Sequence, residues 1–479
     1  MGTSGFWSYY SDLIKTVPLS TIKNKILFID IAIYIHKYTI GIRKNGCDMM
    51  TKDGRVISHI FAICKILKNF MQLNMFPIFV FDGKIPHIKE KTVEKRKEYT
   101  GTSLIKCNQI IMEKIKRNHN NNSDNSDNSD NSDNSDNSDN SINSNNSNNS
   151  NNSINSINSN NSNNSDNSIN SDNLISMCDN FNNFYDVDDI DENIENIENN
   201  DDNNNEYIKQ FRRSFVLTPE MINECKQFLD KCGVPYVNSF GEADSQCVGL
   251  EHYYKNICSG IYSEDSDILL YGATCLYRNI NFKAQTISVI HNKSILEFLQ
   301  NKTDIACKKF NIPNKKVTRD TLIDFSTIMG NDYCNGIRIS GGINRDKLFE
   351  LFVISNFNMY NFVNLLYSIN SDMNKTIYFI PDSFLVKWRI SKNLYYNAKI
   401  THPKNINILF KKSNLSEIKK ILHKYNIRDD IVGYFLKSLE YNIVIFNSAI
   451  KLNKKKFIKY SEFNCKNDSL DDYNDWITV

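Results

Sequence analysis

Four short apolar runs interrupt an otherwise polar chain, and each leads directly to carboxylates. They are Lys25-Ile-Leu-Phe-Ile-Asp30, Phe76-Pro-Ile-Phe-Val-Phe-Asp82, Gly233-Val-Pro-Tyr-Val237 followed by Ser239-Phe-Gly-Glu242-Ala-Asp244, and Gly260-Ile-Tyr-Ser-Glu-Asp265-Ser-Asp267. The runs are continuous and alternate with helical patterns, which predicts an α/β fold with a central, mostly parallel sheet flanked by helices on both faces. Ligands of such sheets bind beyond the carboxyl ends of the strands, where these acids fall. Further helical stretches are expected at 89–117 and 207–232. The segment Arg319 to Glu350 reads as a helix, the loop GNDYCNGIRISGGIN and a second helix.

Between the two long helical stretches lies a block of different texture. Residues 118–206 are mostly Asn, Ser and Asp, with a three-residue NSD repeat between Ser123 and Asn140. So few apolar side chains cannot offset the entropy of ordering, so a disordered insertion within one folded body is expected.

The block also hides the charge of the rest. The 479 residues carry 57 Lys and Arg against 55 Asp and Glu, but the block holds 19 of those acids and no Lys or Arg. The other 390 residues therefore have 57 basic against 36 acidic side chains, a net charge of +21, which suits a polyanion such as nucleic acid. No apolar stretch escapes interruption by Lys or Asn, so no membrane role is expected, and without a secretory signal the protein is expected inside the cell. Twelve scattered cysteines, with no C-x-x-C pair, predict neither a disulfide framework nor structural zinc.

An Asp after a strand is often only a helix cap. Six carboxylates after four runs, Asp30, Asp82, Glu242, Asp244, Asp265 and Asp267, are harder to explain so, because clustered anions resist ionising together without a cation. An all-oxygen donor set with no His or Cys suits Mg²⁺ or Mn²⁺, and paired ions of this kind cut phosphodiesters.

Five segments then occur in order: MGTSGFWSYYSDLI at the start, FVFDGKIPHIKEKTVEKRKE, GVPYVNSFGEADSQ, YSEDSDILLYG and MGNDYCNGI. They resemble the MGIxGLW, VFDGxxPxxKxxxxxKR, GIPYxxAPxEAEAQ, TEDSDLLxFG and GxDYxxGI motifs of the structure-specific 5′ nucleases, the family of flap endonuclease, exonuclease 1 and the XPG repair nuclease. The similarity covers most of 1–117 and 207 to about 355, and a weaker one runs through PDSFLVKW and ITHPKNINILFKK. What it implies is a 5′ nuclease (PIN-like) core with a helical arch and a helix-two-turn-helix, and a site with two Mg²⁺ ions for which Mn²⁺ can substitute. The implied metal ligands are Asp30, Asp82, Glu242, Asp244, Asp265, Asp267 and Asp332, and the implied phosphate-steering cations are Lys89 and Arg96. Gly2, His36, Gly336, Gly341 and Gly342 are implied DNA contacts. His36 stands where flap endonucleases have a Tyr that stacks on a base, and packing on an apolar helix face is its other reading.

Charge alone also requires cations there. Two Mg²⁺ ions bring +4 against −7 from the carboxylates, so a phosphodiester would still be repelled. Lys89 and Arg96 are seven residues apart and share a helix face after Asp82; a merely solvated face is the alternative. In the helix-two-turn-helix the loop reads ISGGINR where the family has GIGxxxA, so the resemblance does not carry a potassium ion over with it.

The domains are therefore read as an N-terminal nuclease region 1–117, the insertion 118–206, a second nuclease region 207–355 with the helix-two-turn-helix, a C-terminal helical region 356–440 on the core and a tail 441–479. The expected function is Mg²⁺-dependent cleavage of branched or nicked double-stranded DNA, at 5′ flaps or as a 5′ to 3′ exonuclease, in replication or repair. A monomer is expected, in a nucleus or at a cytoplasmic viral replication site. A sliding clamp is a conceivable partner, although no clamp-binding box is recognisable. The alternatives are a branched-DNA scaffold that does not cut and an endoribonuclease of the same fold that destroys messenger RNA.

Overall fold

The computed structural model describes residues 2–123 and 202–424 except 24, 52, 341 and 343, and scattered positions between 432 and 448. The expectations for 124–201, for Gly341 and for most of the tail 441–479 lie outside the described residues. Contacts divide the chain into one unit of residues 1–105 and 187–479 and another of 106–186. The described part of the second unit is the end of a helix that spans Glu90–Ser123.

The first unit is built on seven strands: β1 (Lys15–Pro18), β2 (Ile26–Asp30), β3 (Phe76–Phe81), β4 (Tyr236–Asn238), β5 (Cys258–Tyr262), β6 (Cys275–Asn281) and β7 (Thr286–His291). Their order across the sheet is β1-β7-β6-β5-β2-β3-β4. The pairs β2–β3, β2–β5, β3–β4 and β5–β6 are parallel, and β7 joins β6 and β1 antiparallel. Every residue of β2 and β3 is buried, which explains why their apolar runs do not alternate. Phe28, Phe79 and Phe81 from these strands are almost wholly enclosed, each stabilising the fold by roughly 1.5–3 kcal/mol. From β2 the chain moves outward to β3 and β4, then returns to place β5 on the other side of β2. The direction therefore switches between β2 and β5, the place where sheets of this kind open a crevice.

The expected helix over 207–232 is two helices, Asp202–Arg213 and Pro219–Cys232. The cause is local: the residue before a proline disfavours helical backbone, and Thr218 is extended at φ −84°, ψ 158°. Thr218 Oγ1 accepts the Met221 N–H at 3.3 Å and caps the second helix, with Pro219 at its first position. Farther along, helices Arg319–Met329 and Arg345–Ile354 flank the predicted loop, with Phe325 and Phe349 packed edge to face at 4.8 Å. Helices Met359–Asp372 and Phe384–Tyr396 follow. The chain then returns to the sheet side, where the Lys411 N–H donates to the Gly233 carbonyl at 2.8 Å. Among the described residues, no helix is long and apolar enough to cross a membrane.

Candidate active site

Because β5, β2, β3 and β4 are neighbours and run the same way, their carboxyl ends bring the acids to one rim. Asp30 is the last residue of β2, and Asp82 follows β3 directly. Glu242 and Asp244 open the helix Ala243–Tyr253 behind β4, and Asp265 and Asp267 form the turn between β5 and the short helix Asp267–Tyr271. Backbone bonds fix these turns. Asp265 Oδ1 accepts the Asp267 N–H at 2.9 Å, and Asp82 Oδ1 accepts the Ala243 N–H at 2.8 Å, at the positive end of its helix. The segment after Asp82 crosses the 239–241 loop so closely that a Cβ on Gly83 would lie 2.1 Å from the Ser239 carbonyl oxygen.

Asp332 reaches the same place from the loop after Arg319–Met329. Lys89 Nζ forms an ion pair with Glu242 and stands 3.5 Å from Asp332 Oδ2, while Arg96 Nη2 is 3.3 Å from that same oxygen. Thr92, between them on the helix face, donates to the Asp332 carbonyl at 3.2 Å. Lys89 is buried and Arg96 half exposed, so one cation is committed to the site and the other also faces solvent.

Asp30, Asp244, Asp265 and Asp267 are 5, 7, 4 and 0 % exposed. Burial, reinforced by the charges of Asp82 and Asp265, holds Asp30 well above the usual carboxylate range; burial with Asp265 and Asp30 does the same to Asp244, and burial with Asp265 to Asp267. For Lys89, burial alone would lower the pKa, but Glu242 and the other acids outweigh it and hold the ammonium charged. One oxygen each of Asp30, Asp244 and Asp267 is buried and accepts no hydrogen bond. Among the described residues, no three acidic, His or Cys side chains converge closely enough to form a finished cage for an ion. The orphaned oxygens and the all-carboxylate donor set nevertheless fit hard divalent cations at this rim.

Residues 1–102 match a family model described as the XPG N-terminal domain, and residues 233–332 match one described as the XPG I-region. The chain thus resembles both XPG regions. Asp30, Asp82, Lys89 and Arg96 lie in the segment that matches the XPG N-terminal domain, while Glu242, Asp244, Asp265, Asp267 and Asp332 lie in the segment that matches the XPG I-region, so neither segment has the whole rim. Among curated relatives, flap endonuclease 1 of Plasmodium chabaudi chabaudi is 22 % identical over 439 residues, 89 % of this chain and 69 % of that protein. The Plasmodium falciparum enzyme is also 22 % identical, over 92 % of this chain, but the chain spans about half of its length, 52 %. That of Tetrahymena thermophila is 26 % identical over 45 % of this chain and 50 % of its own. A solved structure of the catalytic core of Rad2 in complex with a DNA substrate superposes with a TM-score of 0.52 at 17 % identity, covering 91 % of this chain and all of the other. The fold is that of the Rad2 core.

The remaining implied contacts are dispersed. Gly2, with φ +85°, lies against the carboxylate turn after β5: a Cβ there would come within 2.3 Å of Asp265 Oδ1 and of Ser266 Oγ. His36 is partly buried with its ring 5.4 Å from that of Phe215. Gly336 serves an internal approach, since a Cβ would lie 2.3 Å from the Met329 carbonyl oxygen. Gly342 has φ +130° and open space beside it.

Three tyrosines behind the rim were not legible in the sequence. Tyr333 donates to Glu242 Oε2 at 2.5 Å and Tyr271 to the same oxygen at 2.9 Å, with 2.8 Å between the two hydroxyls. Tyr395 donates to Asp267 Oδ2 at 2.9 Å and packs its ring against both, at 5.0 and 5.4 Å. Such supporting donors fix which carboxylate oxygen faces the crevice. Two of the three sit inside quoted motifs, YSEDSDILLYG and MGNDYCNGI, where an aromatic residue reads only as core.

Proposed function

We propose that this protein is a structure-specific 5′ nuclease that cuts branched DNA at a divalent-metal site on the carboxylate rim. The observation that carries the reading is the joint placement of Lys89, in the turn before the helix Glu90–Ser123, and Arg96, on that helix, beside six acids at the carboxyl ends of the strands and Asp332 from the loop after Arg319–Met329. The two XPG regions, the flap endonuclease relatives and the +21 charge of the chain outside 118–206 support the same substrate class. Asp30, Asp82, Glu242, Asp244, Asp265, Asp267 and Asp332 would hold two Mg²⁺ ions, or Mn²⁺ in their place. Bound there, the ions would supply an activated water and offset the charge of the phosphodiester.

The protein's own groups do the rest. Lys89, paired with Glu242 and Asp332, can turn its ammonium to an entering phosphate, and Arg96 meets the same phosphate from the solvent side. Tyr271 and Tyr333 hold Glu242, and Tyr395 holds Asp267, against the pull of a mobile substrate. The open backbone at Gly342 gives duplex DNA a place to approach the helix-two-turn-helix.

The test is Mg²⁺-dependent cleavage of a 5′-end-labelled double-flap DNA, with Asp265→Ala as control. Cleavage within a nucleotide of the junction, absent from the variant, is the expected result. Tight binding without cleavage would replace this reading with a scaffold, and cleavage confined to RNA of the same branched shape would replace it with a ribonuclease.

A further inference from the structure

Between the two acids of the rim turn and β5 stands Glu264, an acid of the YSEDSDILLYG motif with no part in the proposed metal site. It is mostly buried and turned toward its own set of donors. Arg278 gives it two N–H groups, Nε and Nη2, each 3.1 Å from Oε2. Oε1 takes the Asn279 N–H at 3.2 Å, the Tyr262 hydroxyl at 3.4 Å and the Lys37 ammonium at 3.5 Å. Both oxygens are therefore occupied by protein.

The strand that supplies these donors is shaped for the purpose. β6 shifts register against β7 between Arg278 and Asn281, and Asn279 takes a left-handed φ of +47°. Such irregularities cost energy and re-aim side chains. This one presents the Arg278 side chain and the Asn279 N–H to the same carboxylate. On its other face, the Arg278 guanidinium lies over the Trp7 ring at 3.8 Å, a stacking that fixes a planar cation better than a point charge. Trp7 belongs to the same N-terminal segment that donates the Thr3 N–H to Ser266 Oγ at 2.9 Å.

We propose that Arg278, backed by Trp7, is a positioning residue that acts through Glu264 to hold the Asp265–Asp267 turn in register with the other carboxylates. The proposal rests on the reading of the rim as a divalent-metal site. Glu264 is adjacent to Asp265 in the chain, so releasing its side chain frees the backbone that carries two ligands at once. Supporting partners of this kind typically change metal affinity by about 10- to 100-fold.

The experiment compares Arg278→Ala, Glu264→Gln, the double variant and Arg278→Lys with wild type. Mn²⁺ affinity is read by calorimetry, folding by circular dichroism, and kcat and KM on double-flap DNA. Each single variant is expected to weaken Mn²⁺ binding tenfold or more and to lower kcat while KM for DNA stays unchanged. The double variant is expected to be no worse than either single one, because the two residues act as a unit. Arg278→Lys is expected to recover part of the loss, since one charge reaches Oε2 without the second N–H or the stack on Trp7. Wild-type Mn²⁺ affinity in a folded Glu264→Gln protein, which is nearly isosteric, would overturn the proposal, as would losses that add in the double variant. Wild-type protein that binds Mn²⁺ but leaves the DNA intact would overturn the nuclease reading alone, and the affinity series would still decide the role of Arg278.

Discussion

Tyr395 donates its hydroxyl to Asp267 Oδ2 at 2.9 Å across 128 residues of sequence, in a contact where both residues are buried. The bond leaves Asp267 Oδ1 as the buried oxygen without a hydrogen-bond partner and so determines which side of the carboxylate stays open to a cation. Tyr395→Phe keeps the ring packing and removes only the donor. Calorimetry should show divalent-metal binding weakened by about tenfold or more, with the melting temperature lowered by no more than a bond of about 1 kcal/mol implies. Unchanged affinity would remove Tyr395 from the site's supporting shell.

Lys89 should show opposite signs in two measurements. Its ammonium offsets Glu242 and Asp332, so Lys89→Ala leaves seven acids facing one another and should lower the melting temperature in chelator. The same change removes a competitor for divalent ions, so metal should bind more tightly to the variant while DNA cleavage slows by about 100-fold or more. Cleavage at the wild-type rate would show that the buried cation has only a structural part.

Gly83 carries a steric prediction. A methyl group there would meet the Ser239 and Phe240 carbonyl oxygens at 2.1 and 2.6 Å, and these are backbone atoms that cannot swing aside. Gly83→Ala should push the 239–241 loop away, break the Asp82–Ala243 bond and separate Asp82 from Glu242. A drop in metal affinity larger than that of Gly101→Ala, where nothing lies within 4 Å, is the measurable outcome.

Glu251 makes stability depend on pH. Burial raises its carboxyl to about 7, although the Thr274 and Cys275 N–H groups, at 2.9 and 3.2 Å, favour the charged form. The folded protein thus holds this proton more tightly than the unfolded chain does. Stability from this group is full below the unfolded value near 4.5 and falls as pH rises to about 7, by roughly 3 kcal/mol at 1.36 kcal/mol per pH unit. Thermal melts in chelator between pH 5 and 8 should show the decline, and Glu251→Gln should flatten it.

Sheet and rim were legible for one physical reason: strands buried on both faces must be continuously apolar, so Ile26–Ile29 and Phe76–Phe81 announce themselves and the acid after each marks its carboxyl end. β6 was not legible, because Arg278 and Asn279 interrupt the run with the polar groups that hold Glu264. Asp332 follows no strand, and its place came from the resemblance rather than from pattern. Tyr395 could not be found by spacing at all, since its partner is fixed only when the helix Phe384–Tyr396 folds back beside the rim.

β3 and β4 are in register, Phe79 with Tyr236 and Phe81 with Asn238, although more than 150 residues separate them in the chain. Both ends of that long connection are fixed by the sheet. The entropy of closing a chain grows only with the logarithm of its length, so at such a separation three residues more change it by only about hundredths of a kcal/mol. Between Asp265 and Asp267, a single inserted residue would put one of the two acids out of place. Chain length thus counts for little between the paired strands and to the single residue within the carboxylate turn.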